Sequence, residues 1–177
     1  MPASYTARPE TSEYAPYYET YVSKVRDGDI LQILSTQIQE TMALLSDLSE
    51  EQANYRYAPD KWSIKEVVGH MGDSERIFAY RALRFSRNDT TPIPGFEQES
   101  FTEAANFAER TLADLLDEFR IIRQDTLYLF KGMSADMMTR TGTASNFAVS
   151  VRALAYIIAG HEHHHVGILR DHYLVDR

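Results

Sequence analysis

Apolar residues recur at steps of three and four along four long stretches of this chain, the period of helices with one buried face. The first stretch carries Ile30, Leu34, Ile38, Met42, Leu45 and Leu48. The second carries Ile64, Val67, Met71, Phe78, Ala82 and Phe85. It opens on Ser63-x-x-Glu66, a capping box directly after Asp60-Lys61-Trp62. Asn88-Asp89 and the run Thr91-Pro92-Ile93-Pro94-Gly95 end it. The third starts near Thr111, with Thr111-x-x-Asp114 as its cap. It runs through Leu112, Leu115, Leu116, Phe119, Ile122, Leu127 and Phe130 to Gly132 at the C′ position. The fourth follows Ser150 and puts Val151, Leu154, Ile158, His161, His165 and Ile168 on one face.

No segment alternates with a period of two between hairpin turns, so little or no sheet is expected. Four helices of about twenty residues predict an all-α four-helix bundle. Residues 96 to 110 read as a long loop with a helical turn, and residues 134 to 146 as a polar connection. Residues 1 to 20 read as an extended N-terminal segment, which Tyr14, Tyr17 and Tyr18 equip to lie across a surface. Residues 21 to 177 then form a single domain, long enough to bury a core.

The absence of cysteine removes disulfides, thiolate metal sites and cysteine nucleophiles together. Any metal must be held by His, Asp or Glu. A formal net charge of -8, with no basic block, argues against a nucleic-acid partner, which needs Lys and Arg to neutralise phosphates. No apolar run is long enough to span a membrane. The first residues contain no apolar signal core, so a cytoplasmic protein is expected.

Two of the five stripe positions 154, 158, 161, 165 and 168 are histidine. Residues four apart share a helix face, with Cβ atoms roughly 6 Å apart. His161 and His165 can therefore both approach a cation to about 2 Å. His70, on the second helix, supplies a third imidazole and leaves one coordination position free, as in catalytic sites. The bland alternative is a set of core histidines hydrogen-bonded to other helices. A polar ring in the core must find some partner or cost roughly 1–3 kcal/mol. An expression tag does not fit, because the run is interrupted by Glu162 and lies inside a periodic helix.

Gly69 and Gly72 bracket His70, which implies either close approach of something at that point or tight helix packing through small residues. Glu66 and Asp73 share its side and are candidates for accepting an imidazole N–H or for a fourth ligand; each alone is equally a solvated helix charge. His163 points off the stripe, His164 sits at its edge, and His172 is too far along the axis to share the ion. A carboxylate-bridged di-iron site wants two Glu-x-x-His copies. Glu162-x-x-His165 is one, but Glu66-x-x-x-His70 is a residue too long, so a mononuclear three-histidine site fits better.

The series from Tyr57 to Glu66, then Gly69-His70 and Asp73-Ser74-Glu75-Arg76, resembles the second helix of the DinB/YfiT-like (DinB_2) metalloenzyme family. The series Ser150 to Tyr156, running into Gly160-His161-Glu162 and His164-His165, is similar to that family's last metal-bearing helix. The resemblance covers about residues 20 to 174. It implies a four-helix bundle, often a homodimer, with a divalent metal (zinc, nickel or iron) held by His70, His161 and His165. It also brings in S-transferases that use a low-molecular-weight thiol such as bacillithiol or mycothiol. The expected function is a metal-dependent enzyme on a small-molecule substrate, with a thiol S-transferase first. A metal-dependent hydrolase and a non-catalytic metal-binding bundle are the alternatives. Arg81, about three turns beyond His70, is a candidate for a thiol cofactor's carboxylate or else a surface arginine in an ion pair.

Overall fold

Every long helix starts at a side chain that accepts amide hydrogens left free by its first turn. In the computed structural model, which describes residues 5–175, the short α1 (Glu19–Val22) leads to α2 (Ile30–Leu45). Asp29 caps α2 by accepting from the N–H groups of Leu31 and Gln32 at 2.9 and 3.3 Å. After α3 (Glu50–Ala53), Ser63 and Glu66 form the expected capping box at the head of α4 (Ile64–Ser86). The stretch 96–110 holds α5 (Gln98–Ala104) and a 3-10 turn at Phe107–Glu109. Thr111 caps α6 (Leu112–Lys131), and α7 (Ala135–Thr139) follows. A hairpin of β1 (Thr141–Ala144) and β2 (Phe147–Ser150) then feeds α8 (Val151–Ile168), capped by Ser150. The chain widens into a π turn over Leu169–Tyr173.

The helices α2, α4, α6 and α8 form the four-helix bundle. Both α2 and α4 pack on α6 and α8, so α2 and α4 stand diagonally opposed. The core divides into two apolar clusters along the bundle. On α4, Val67, Val68 and Met71 belong to one and Phe78, Ala82 and Phe85 to the other, with buried Ser74 and Glu75 between. On α6, buried Arg123 and Thr126 separate Phe119 from Phe130. On α8, His161, Glu162 and His165 separate Ala159 from Leu169 at the start of the π turn. A polar band thus crosses the middle of the bundle.

The hairpin corrects the expectation of a plain polar connection before the last helix. Its strands are four residues each, too short to show alternation in sequence. Its turn residues Ser145 and Asn146 take φ values of 52° and 68°, as a two-residue primed turn requires. Ser-Asn is a weaker turn signal than Asn-Gly. Ile93 extends the hairpin from the loop after α4: its N–H donates to Thr143 O at 2.9 Å, and Ser145 N–H donates to its carbonyl at 3.0 Å. The segment before α1 makes two 3-10 turns, at Thr11–Glu13 and Pro16–Tyr18, and buries Tyr5 and Tyr14. Its first four residues lie outside the described part.

Two contacts tie that segment and α1 to α8. Glu13 accepts from Ser150 Oγ at 2.6 Å and from Arg152 Nε at 2.7 Å. Burial alone would raise the Glu13 carboxyl, but the bonds from Arg152 and Ser150 prevail and bring it down to about 2. A depressed carboxyl stabilises the fold above its ordinary value of 4.5 and ceases to do so as pH falls toward about 2. Glu13→Gln should therefore flatten the pH dependence of unfolding across that window, as followed by circular dichroism. The second contact is steric: a Cβ on Gly160 would stand 2.1 Å from the Tyr21 carbonyl oxygen. Glycine to alanine within a helix usually gains about 1 kcal/mol. Here the obstacle is backbone, so Gly160→Ala should instead lose about 1–3 kcal/mol in urea denaturation.

Candidate metal centre

Three imidazoles converge in the polar band, one from α4 and two from successive turns of α8. His161 Nε2 lies 3.1 Å from His70 Nε2 and 3.1 Å from His165 Nε2. All three residues are buried. A neutral imidazole nitrogen carries one hydrogen or one lone pair, so His161 Nε2 can make only one well-directed hydrogen bond. It has two nitrogen neighbours at that distance. A cation between the three would take all three lone pairs at once. Nitrogens bound at about 2.0–2.1 Å in tetrahedral directions stand about 3.3 Å apart, close to the spacing seen.

The electrostatics agree with that use. Burial, aided by the nearby His164, pushes His70 down to about 4. Burial and the neighbouring histidines hold His161 and His165 well below their ordinary value. All three rings are therefore neutral near pH 7, with lone pairs available. Among the described residues these three are the group that could hold an ion, and no carboxylate joins them.

Aromatic side chains wall the centre. The Trp62 ring lies 4.7 Å from the His70 ring, while Tyr21 and Phe78 lie 5.3 and 5.9 Å from that of His161. Two cavities reach it. One, of about 710 Å³, is lined by His164, His165 and Trp62. The other, of about 250 Å³, is lined by His161, Ser74, Phe78 and Tyr21.

The remaining sequence candidates fall elsewhere. Glu66 is spent on the Ser63 cap and an ion pair with Arg56 at 2.7 Å. Asp73 pairs with Arg76 at 3.4 Å. His163 is exposed, and half-buried His164 packs 5.0 Å from the His165 ring. His172 stacks on Tyr57 at 4.9 Å. The glycines beside His70 serve packing: a Cβ on Gly69 would stand 2.4 Å from the Phe107 ring, and one on Gly72 would stand 3.1 Å from Ile122. Arg81 is no surface ion pair, being only 2% exposed.

Glu162 turns away from the histidines, which removes the di-iron alternative. Its Oε1 accepts from Thr41 Oγ1 at 2.7 Å, and its Oε2 lies 2.8 Å from Arg123 Nη1. Arg123 also donates to both oxygens of Glu75, at 2.8 and 2.7 Å, and to the Leu34 carbonyl at 2.9 Å. One guanidinium on α6 thereby holds α2, α4 and α8. Burial works against its charge, but Glu162 and Glu75 overcome this and raise its pKa. Burial raises the Glu162 carboxyl, with Arg123 and Thr41 pulling the other way. This brace was missed in the sequence, although a charged residue in the stripe beside Phe119 and Ile122 was its signal.

The bundle and its histidine trio define a helical protein with a candidate mononuclear centre. A family model described as the DinB superfamily matches residues 33–169, and the chain belongs to that superfamily. It is 23% identical over 130 residues to a protein of Oceanobacillus iheyensis named "Putative metal-dependent hydrolase", covering 71% of this chain and 73% of that protein. Its fold is similar to that of YfiT from Bacillus subtilis, described as "a probable metal-dependent hydrolase with an unusual four-helix bundle topology". The TM-score is 0.74 at 14% identity, over 93% of this chain and 90% of YfiT.

Removing the brace leaves Glu75 and Glu162 buried with no cation between them. Arg123→Met should cost about 3–5 kcal/mol in chemical denaturation at neutral pH. Burial already raises the Glu162 carboxyl and Arg123 pulls it down, so without Arg123 it would rise further and the loss should shrink as pH falls to about 5.

Proposed function

We propose that this protein is a metal-dependent enzyme acting on a small molecule, with one divalent ion held by His70, His161 and His165. The observation that carries the reading is the meeting of three buried, neutral Nε2 atoms, one of them shared between two neighbours. Zinc, nickel and iron all accept imidazole ligands. Three neutral ligands leave the ion's charge uncompensated, and it supplies Lewis acidity that draws down the pKa of water or a thiol placed against it.

The chain's own residues do the rest. The brace on Arg123 keeps α4 and α8 in register, so the imidazoles need no rearrangement to meet the ion. Trp62, Tyr21 and Phe78 form apolar walls that exclude bulk water from the rings. The two adjoining cavities favour an enzyme over a closed structural site, and three protein ligands without a carboxylate do the same.

Two reactions suit this centre. Hydrolysis has the descriptions of both relatives behind it. Transfer to a low-molecular-weight thiol rests on the family resemblance, as does homodimeric assembly. The net charge of -8 supports a partner other than nucleic acid. Among the described residues no helix is long and apolar enough to cross a membrane.

Elemental analysis of untagged protein should find about one divalent ion per chain, and His161→Ala should lose it with at least a tenfold drop in affinity. Wild-type protein that stays metal-free after incubation with zinc, nickel and ferrous iron would sink the proposal. Turnover of ester and amide substrates without thiol would mark a hydrolase. Strict dependence on added bacillithiol, mycothiol or glutathione would mark the transferase.

A further inference from the structure

The smaller cavity holds a charged group for which the metal chemistry has no use. Arg81 is buried, yet among the described residues only its Nη2 is hydrogen bonded, to the Pro94 carbonyl at 3.2 Å and Ser145 Oγ at 3.1 Å. Its Nε is buried without a partner. No carboxylate pairs with it among the described residues. The contrast with Arg123 is informative, because that arginine is matched by two carboxylates and a carbonyl. A desolvated guanidinium lacking a counter-charge is costly to keep, and its planar fork of N–H donors is shaped for an oxyanion.

Its place in the cavity gives that fork an object. Arg81 lines the same 250 Å³ space as His161 and Ser74, together with Tyr17 and Gln98. Its Cζ lies 5.8 Å from the Phe78 ring centroid, and the His161 ring lies 5.9 Å from the same point. The guanidinium therefore stands no more than about 12 Å from a proposed metal ligand. A small molecule can bridge that gap with one end at the ion and the other on Arg81.

We propose that Arg81 receives the carboxylate of a small substrate whose reacting end lies at the histidine centre. This rests on the metal-centred reading and adds the class of substrate to it. At the Arg81 end of the cavity, away from the ion, one guanidinium balances one negative charge, and the other charged residue among the lining side chains is exposed Glu97, which disfavours a dianionic group there. A monocarboxylate fits that balance better than a phosphate. Ser145 Oγ, bonded to Arg81, fixes the guanidinium's orientation.

The arginine Nε–H signals of 15N-labelled protein, metal-loaded as purified, provide the test. The signal missing from an Arg81→Lys spectrum belongs to Arg81. It should move on titration with propionate and stay in place with propionamide, the neutral analogue. By calorimetry, Arg81→Met should bind propionate at least about tenfold more weakly, the loss of one charge-assisted pair. An unmoved Arg81 signal overturns the proposal, as does equal affinity in the Met variant. Tighter binding of inorganic phosphate overturns the assignment to a carboxylate. Elemental analysis of the same samples separates this outcome from the metal reading. Propionate binding without metal leaves the anion site standing alone, while full metal occupancy without propionate binding leaves only the centre.

Discussion

One guanidinium ties three of the four long helices together beside the histidine group. Arg123 is fully buried and reaches a carboxylate on α4, a carboxylate on α8 and a backbone carbonyl on α2. Each carboxylate is close in sequence to a candidate ligand, Glu75 five residues after His70 and Glu162 directly after His161. Helices packed only by apolar contacts can slide by fractions of an ångström at little cost, and the bidentate bond to Glu75 resists that. An ion pair of this kind adds little net stability over a well-packed apolar replacement. Its contribution is registry between the helices that bear the histidines.

The polar band explains why the core is split. Four helices bring His, Ser, Glu, Thr and Arg to one level, and apolar clusters seal that level from both ends. Low local polarity keeps the imidazoles neutral and strengthens every charged contact within the band. The N-terminal segment and α1 wall one side: Tyr21 packs on the His161 ring, and Tyr17 and Tyr18 line the cavity beside it. The connection before α4 walls the other with Trp62, which also lines the larger cavity.

The bundle was legible in the sequence because its signals are local. The stripes of α2, α4, α6 and α8, the Ser63 box, Thr111 and Ser150 all act within a few residues of themselves. The convergence of the three imidazoles was legible too, since His161 and His165 share a face and His70, bracketed by glycines on the second helix, offered a third ring. What sequence left hidden depends on partners far along the chain. Arg123 meets Glu75 across 48 residues, and Arg81 meets Ser145 across 64. Glycines at 69 and 72 pointed to a close approach, but not to Phe107 and Ile122 as the cause. Glu66 and Asp73 shared a side with His70, yet each had a nearer arginine.

The bundle divides its labour by helix pair. Every candidate ligand comes from α4 and α8, whereas α2 and α6 meet the polar band through Arg123, Leu34 and Thr41. The cavity walls come largely from outside the four long helices, at Tyr17, Tyr18, Phe96, Gln98 and Ser145. The loops and short elements that line this cavity are thus distinct from the long helices that carry the imidazoles and their brace. Such a scaffold is open to remodelling: diversifying the connecting segments would alter which molecules gain entry while the imidazoles and their arginine anchor stay unchanged.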